Sequence, residues 1–135
     1  MRGRPRAFTP VPYIEALVEL PLFGSRKRIT FVVDTGGDAT VINPQDSQEM
    51  LSRDGWTNLR NPVRFSGAGA GSDHFPEPAV FSFTHDDGRL QQVEIPVFIA
   101  MPSAENVNLE SVLGRDLLAI FVMTFDAGGS VLTLE

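Results

Sequence analysis

The sequence predicts a mostly β domain that closes as a barrel and carries one or two short helices. Three observations point there. Short apolar, β-branched runs recur at residues 13–23, 29–33, 39–42, 79–84, 90–100 and 131–135, and clusters of Gly, Pro, Asp and Asn separate them. Helix signals are confined to two places, after Asn43-Pro44 and around Leu113, Leu117 and Leu118. Nothing alternates strand with long helix, so a doubly wound sheet is excluded and an antiparallel barrel, whose closure removes the exposed edges, is favoured.

The elements follow in order. Residues 13–20 alternate imperfectly, with Ile14, Ala16, Val18 and Leu20 on one side, and Gly24-Ser25 turns them into the run 29–33, which reads as a hairpin. The chain breaks at residues 34–38 and resumes as the strand 39–42. Asn43 then reads as an N-cap, with Pro44 at the first helical position of a short helix ending near Ser52. Asp54, Gly55 and residues 58–62 read as turn or loop. Residues 63–66 and 79–84 are extended arms around the Gly- and Pro-rich connection FSGAGAGSDHFPEP. Asp87-Gly88 makes the turn between the strands 79–84 and 90–100. A polar loop, a helix-like segment and a strand into Asp126 follow, and Gly128-Gly129 turns the chain into its last strand.

Length and composition bound the rest. A chain of 135 residues supports one domain with a real core, here assigned to residues 13–135, with residues 1–12 as an arm or linker. The absence of cysteine excludes a disulfide framework and a thiolate metal site, which fits a cytoplasmic protein. No apolar run reaches the roughly eighteen residues of a membrane span, so no membrane partner is expected. A formal charge of −6 argues against a nucleic-acid binder, and Arg26, Lys27 and Arg28 read as a solvated turn. His74 and His85, with Asp73, Asp86 and Asp87 nearby, read as solvated turns rather than metal ligands, since no third ligand motif accompanies them. No metal or cofactor is expected.

The chemistry concentrates at FVVDTGGDATVI, residues 31–42. A carboxylate at the end of an apolar strand is costly unless it has a role, and Asp34 holds that place. Alone, Asp-Thr-Gly reads as a turn in which the aspartate bonds its own backbone. Two further patches change the reading. SVLGRDLLAIF stands about eighty residues downstream, and FSGAGAGSDHF lies between the two. Together these three patches resemble the retropepsins, the retroviral type of aspartic protease: the catalytic loop at Asp34, Thr35 and Gly36, the second signature at Gly114 and Arg115, and a glycine-rich flap between them.

The resemblance implies a retropepsin-like acid protease fold and an aspartic endopeptidase that hydrolyses peptide bonds with an activated water and no cofactor. One ionised carboxylate takes a proton from water while a protonated one donates to the carbonyl oxygen, and then the roles exchange. Two carboxylates about 3 Å apart cannot both ionise, which supplies base and acid together. This chain has one Asp-Thr-Gly, so the resemblance implies a homodimer with Asp34 from each subunit. It further implies that Thr35 ties the two loops together, that Asp38 holds substrate backbone and pairs with Arg115, and that Gly37 and the flap residues Ser66, Gly67, Ala68, Gly69, Ala70 and Gly71 meet a peptide or protein substrate. Gly114 and Arg115 would support the loop. In retropepsins the termini interleave at the interface, a role open to residues 131–134. Gly37 departs from the family, which has Ala or Ser there; without that hydroxyl the ionised carboxylate loses a donor.

Other readings remain. SGAGAGS lacks the Gly-Lys-Ser/Thr of a phosphate loop, yet it could be a plain linker. FDAGG at residues 125–129 echoes the Asp34 loop, as a trace of duplicated half-domains or as an independent turn. Only six residues follow Gly129, too few for a second lobe. Two alternatives to the protease are a homodimeric peptide-binding module of the same fold that does not cleave, and a self-processing segment of a larger polyprotein.

Overall fold

The computed structural model describes residues 2–6, 9–65, 73–126 and 131–135, with side chains for 11–65, 73–126 and 133–135. Strands β1 (Arg2–Arg6), β2 (Thr9–Leu20), β3 (Ser25–Val33), β4 (Val41–Ile42), β5 (Val63–Arg64), β6 (Asp73–Thr84), β7 (Leu90–Ala100), β8 (Val112–Leu113), β9 (Met123–Asp126) and β10 (Val131–Leu134) form one sheet. Its order is β5-β6-β7-β4-β8-β3-β2-β1-β10-β9. A further pairing of β6 with β2 closes the strands from β6 to β2 into a ring, which is the expected barrel. Among the described residues three short α-helices decorate it: α1 (Pro44–Met50), α2 (Arg53–Thr57) and α3 (Arg115–Leu118). Among the described residues no helix is long and apolar enough to cross a membrane.

The alternation of β2 and β3 decides which face is inside. Ile14, Ala16, Val18 and Leu20 of β2 are buried, as are Ile29, Phe31 and Val33 of β3, across an unbroken register from Tyr13↔Val32 to Leu20↔Ser25. Phe75, Phe81 and Phe83 of β6 and Val97 and Ile99 of β7 meet them. Phe83 packs edge-on to Phe121 at 5.1 Å between centroids, and Phe31 lies 5.9 Å from Phe81. Trp56 of α2 packs against this core from outside.

Several expected boundaries move. Strand β6 begins at Asp73, six residues before the expected arm, with Pro76 and Pro78 inside it. They fit because residues 75–79 pair with β7 on one edge while the pairing with β2 starts only at Val80, so no partner needs their missing N–H groups. Asp54 and Gly55, expected in a turn, belong to α2, whose N-cap Ser52 accepts from the Gly55 N–H at 3.2 Å. Asn43 does hold the N-cap position of α1, but its side chain makes no cap bond and donates instead to the Glu110 carbonyl at 2.7 Å. Residues 2–6, placed in an arm by sequence, run as β1 between β2 and β10. Two pairings are parallel, β3 with β8 and β4 with β7, and both lie at the Asp34 loop.

Candidate active site

Asp34 follows directly on the last residue of β3, where the strand has already been seized by β8. Val32↔Val112 and Val33↔Leu113 pair in parallel, and Val41 of β4 pairs with the same Val112 from the other side. Strand β8 therefore draws together the two ends of the loop 34–40. The Asp34 N–H donates to the Leu113 carbonyl at 3.0 Å, which continues the ladder one residue into the loop. The carboxylate is then exposed at the mouth, its Oδ1 accepting from the Gly36 N–H at 2.9 Å. The Gly37 N–H closes the turn on the Asp34 carbonyl at 3.2 Å.

The loop is locked from beneath by the segment Gly114-Arg115-Asp116. The Arg115 N–H donates to the Gly37 carbonyl at 2.8 Å and the Asp116 N–H to the Asp38 carbonyl at 3.2 Å. Thr40 is fully buried: its hydroxyl donates to Asp116 Oδ1 at 2.7 Å and accepts from the Gly114 N–H at 3.1 Å, and its own N–H donates to Asp116 Oδ2 at 3.0 Å. Asp116 Oδ1 also accepts from the Leu117 N–H at 2.8 Å. One carboxylate thus satisfies three donors, a use that local pattern did not suggest, since Arg115-Asp116 could equally be a surface pair. Asp116→Ala is expected to destabilise the chain by about 3 kcal/mol in urea unfolding, since it strands buried donors of Thr40.

Other expected residues fall as follows. Arg115 Nη2 donates to Asp38 Oδ1; both side chains are exposed, so the pair fixes direction rather than adding much stability. Thr35 is exposed beside Asp34. A Cβ at Gly37 would stand 3.1 Å from Asp34 Oδ2, so a larger residue there displaces the carboxylate by a few tenths of an ångström. Ser66, Gly67, Ala68, Gly69, Ala70 and Gly71 lie outside the described residues. Their flanking strands do pair: β5 meets β6 through Val63↔His74 and Arg64↔Asp73. His74, expected to be solvated, is 6% exposed with its ring 4.5 Å from that of Phe65. His85 is buried too, its Nε2 2.8 Å from Gln91 Oε1. Among the described residues no group of three His, Cys, Asp or Glu is placed to hold a metal.

Above the loop opens a cavity of about 530 Å³. Asp34, Gly36, Gly37 and Asp38 form its floor, Val32, Val41 and Val112 one wall, and Phe65, His74 and Leu109 line its other sides. A polar chain behind the wall holds α1 in place. Asn43 N–H donates to Ser111 Oγ at 3.0 Å, and Ser111 donates to Asp46 Oδ2 at 2.6 Å. Asp46 also receives Lys27 Nζ at 2.8 Å. Burial alone would lower the Lys27 ammonium, but its bonds to Asp46 and Glu49 outweigh burial and hold it above the ordinary lysine range.

An aspartate on the floor of a cleft, in a loop braced by Gly-Arg-Asp within a closed barrel, defines the retropepsin-like fold. The comparison with solved structures agrees. A retropepsin-like aspartic protease from Rickettsia conorii superposes with a TM-score of 0.67 at 19% identity, covering 99% of this chain and 88% of that one. EIAV protease, in complex with the inhibitor HBY-793, superposes with a TM-score of 0.53 at 16% identity, covering 86% of this chain and 91% of that one. No protein-family model matches the sequence, and no curated protein does. The chain has the retropepsin fold, and its likeness to these proteases lies in structure rather than in sequence.

Proposed function

We propose that the chain is an aspartic endopeptidase that works as a homodimer, with Asp34 of each subunit forming the catalytic pair. The observation that carries this reading is the presentation of Asp34: an exposed carboxylate on the floor of a cleft, fixed by the Gly36 N–H, in a loop whose backbone makes four hydrogen bonds to residues 113–116. Preorganised placement is what general acid–base chemistry needs. Two such carboxylates facing across a twofold axis share one proton. The ionised member takes a proton from water as its oxygen attacks the scissile carbonyl; the protonated member donates to the carbonyl oxygen. The proton returns to the departing amine as the C–N bond breaks.

In this reading Thr35 links the two loops and Asp38, directed by Arg115, accepts from the substrate backbone. An extended peptide lies over Gly36 and Gly37, with specificity set by pockets for alternate side chains. Residues 66–72 keep their place as the part that closes over substrate on sequence grounds alone.

The pairing of strands bears on where the second subunit docks. Strand β10 lies between β1 and β9 of its own chain, an arrangement that favours docking at the end of the sheet over interleaving of β10. The sheet ends at β9 instead, all four of whose residues are exposed. Phe125 is 48% exposed and Val122 68%, with Met123 and Ile120 beside them. An edge strand that exposes Met123 and Phe125 and carries neither Lys nor Pro is suited to pairing with its own copy across a twofold axis. Phe125→Lys places two like charges across that axis. It is expected to shift sedimentation to the monomer and to lower activity at least ~10-fold at micromolar chain, with the circular dichroism unchanged. A stable dimer of this variant would move the interface elsewhere.

The reading is tested by incubating the protein with an unbiased peptide mixture and mapping the cuts by mass spectrometry. Defined cuts from the wild type that vanish in Asp34→Asn are expected. Peptide binding without cleavage would instead identify a binding module of the same fold.

A further inference from the structure

Strand β6 carries a carboxylate that the proposed chemistry does not use. Glu77 alternates with Phe75, Ala79 and Phe81 on the inward side of the strand and is 8% exposed. Among the described residues no cation, hydroxyl or backbone N–H meets it, and burial pushes its carboxyl above the usual carboxylate range. An acid held without a partner in largely apolar surroundings carries a desolvation cost, and such costs gather where a ligand is to be met.

The surroundings say what that ligand is. Glu77 lines a second cavity, of about 540 Å³, between the 3-10 turn at Pro21–Phe23 and the neighbouring stretches of β6 and β7. Pro21, Pro76, Pro78, Pro96 and Ile95 supply apolar walls, and Glu94 is the other titratable group on its lining. Among the described residues no Lys, Arg or His lines it. Strand addition is excluded along this edge, because Pro76 and Pro78 have no N–H to offer an incoming backbone. Recognition therefore runs through a side chain. Two carboxylates call for a cation, and proline walls call for one with an apolar stem and a flat, weakly hydrated head. The guanidinium group meets both demands and can fork onto a carboxylate, whereas an ammonium is more strongly hydrated.

We propose that this cavity is a recognition site, separate from the Asp34 cleft, for an arginine side chain of a bound polypeptide, with Glu77 as the inner partner of the guanidinium and Glu94 at the rim. The site commits to a protein ligand and owes nothing to catalysis, so it stands if the chain does not cleave.

The test is a ¹⁵N NMR titration of the full chain with N-acetyl-arginine methylamide, using the citrulline analogue as its uncharged isostere. Saturable shifts are expected at the amides of residues 77, 79, 80, 94 and 95 with the arginine probe and not with citrulline. Glu77→Gln should weaken binding at least ~10-fold, one rank of charge-assisted pairing. Glu94→Gln should weaken it less, and Asp34→Asn should bind as wild type. Glu77→Gln should also unfold at a higher temperature than wild type at neutral pH, because it removes an unpaired, partly desolvated charge. Equal response to arginine and citrulline, unchanged affinity in Glu77→Gln, shifts confined to the Asp34 cleft, or a lower unfolding temperature for Glu77→Gln would each overturn the proposal.

Discussion

Asp34→Asn is expected to fold, to dimerise and to bind peptide as the wild type does, while its turnover falls by roughly 10²–10⁴-fold. Asparagine has the same shape, and its carbonyl oxygen can still accept the Gly36 N–H that fixes the side chain at 2.9 Å. The carboxylate is exposed, so its loss leaves no buried partner stranded. What the amide cannot do is take a proton from water and return it. Turnover should therefore collapse while peptide affinity, measured by calorimetry, stays within a few-fold. A variant that cleaves as well as wild type would remove Asp34 from the chemistry, whatever the fold.

Gly114→Ala is expected to cost more stability than a methyl group added at any of Gly24, Gly36, Gly37, Gly55 or Gly88. A Cβ there would lie 2.4 Å from the Ala39 carbonyl oxygen, 2.5 Å from its carbon and 2.9 Å from the Ala39 nitrogen. All three are backbone atoms held by their neighbours, so no side chain can swing away. The loop 34–40 would have to lift from residues 114–116, breaking the bonds from Gly114 to Thr40 and from Arg115 to Gly37. Overpacking of this kind costs about 3 kcal/mol or more, and a fall in unfolding temperature of roughly 10 °C or beyond should accompany it. Any activity left at low temperature should be low as well, since the same bonds aim Asp34. An unfolding temperature within a degree or two of wild type would contradict the close approach. By contrast Gly24, at φ 61° with nothing near its Cβ position, is required for its backbone conformation rather than for space.

The Asp34 loop and its Gly114-Arg115 brace were legible in the sequence because each is a short run whose residue types have few other uses. The hairpin of β2 and β3 and the turn at Asp87-Gly88, where Gly88 takes φ +86°, were legible for the same reason: alternation and turn chemistry are local signals. What escaped depends on distant partners. Pro76 and Pro78 argue against a strand until it is known that β6 has an open edge there. Thr40, Asn43, Ser111 and Asp116 are ordinary polar residues in sequence, and only the parallel insertion of β8 between β3 and β4 makes them the braces of the loop. His74 and His85 look solvated beside so many aspartates, yet their positions in or next to β6 bury them. Glu77 gives no signal at all, because only the fold brings the turn at Pro21, which follows the neighbouring strand β2, to the same cavity.

An active site that takes an Asp34 from each of two chains responds to subunit mixing in a way that a single-chain site does not. Wild type and Asp34→Asn are combined in varying ratio at constant total chain, allowed to exchange, and assayed on a cleaved peptide. If the pair is shared, mixed dimers are dead and activity follows the square of the wild-type fraction, so an equal mixture retains about one quarter of the full rate. A linear fall, leaving about one half, would mean that each chain cleaves with its own Asp34 and that the shared dyad is wrong.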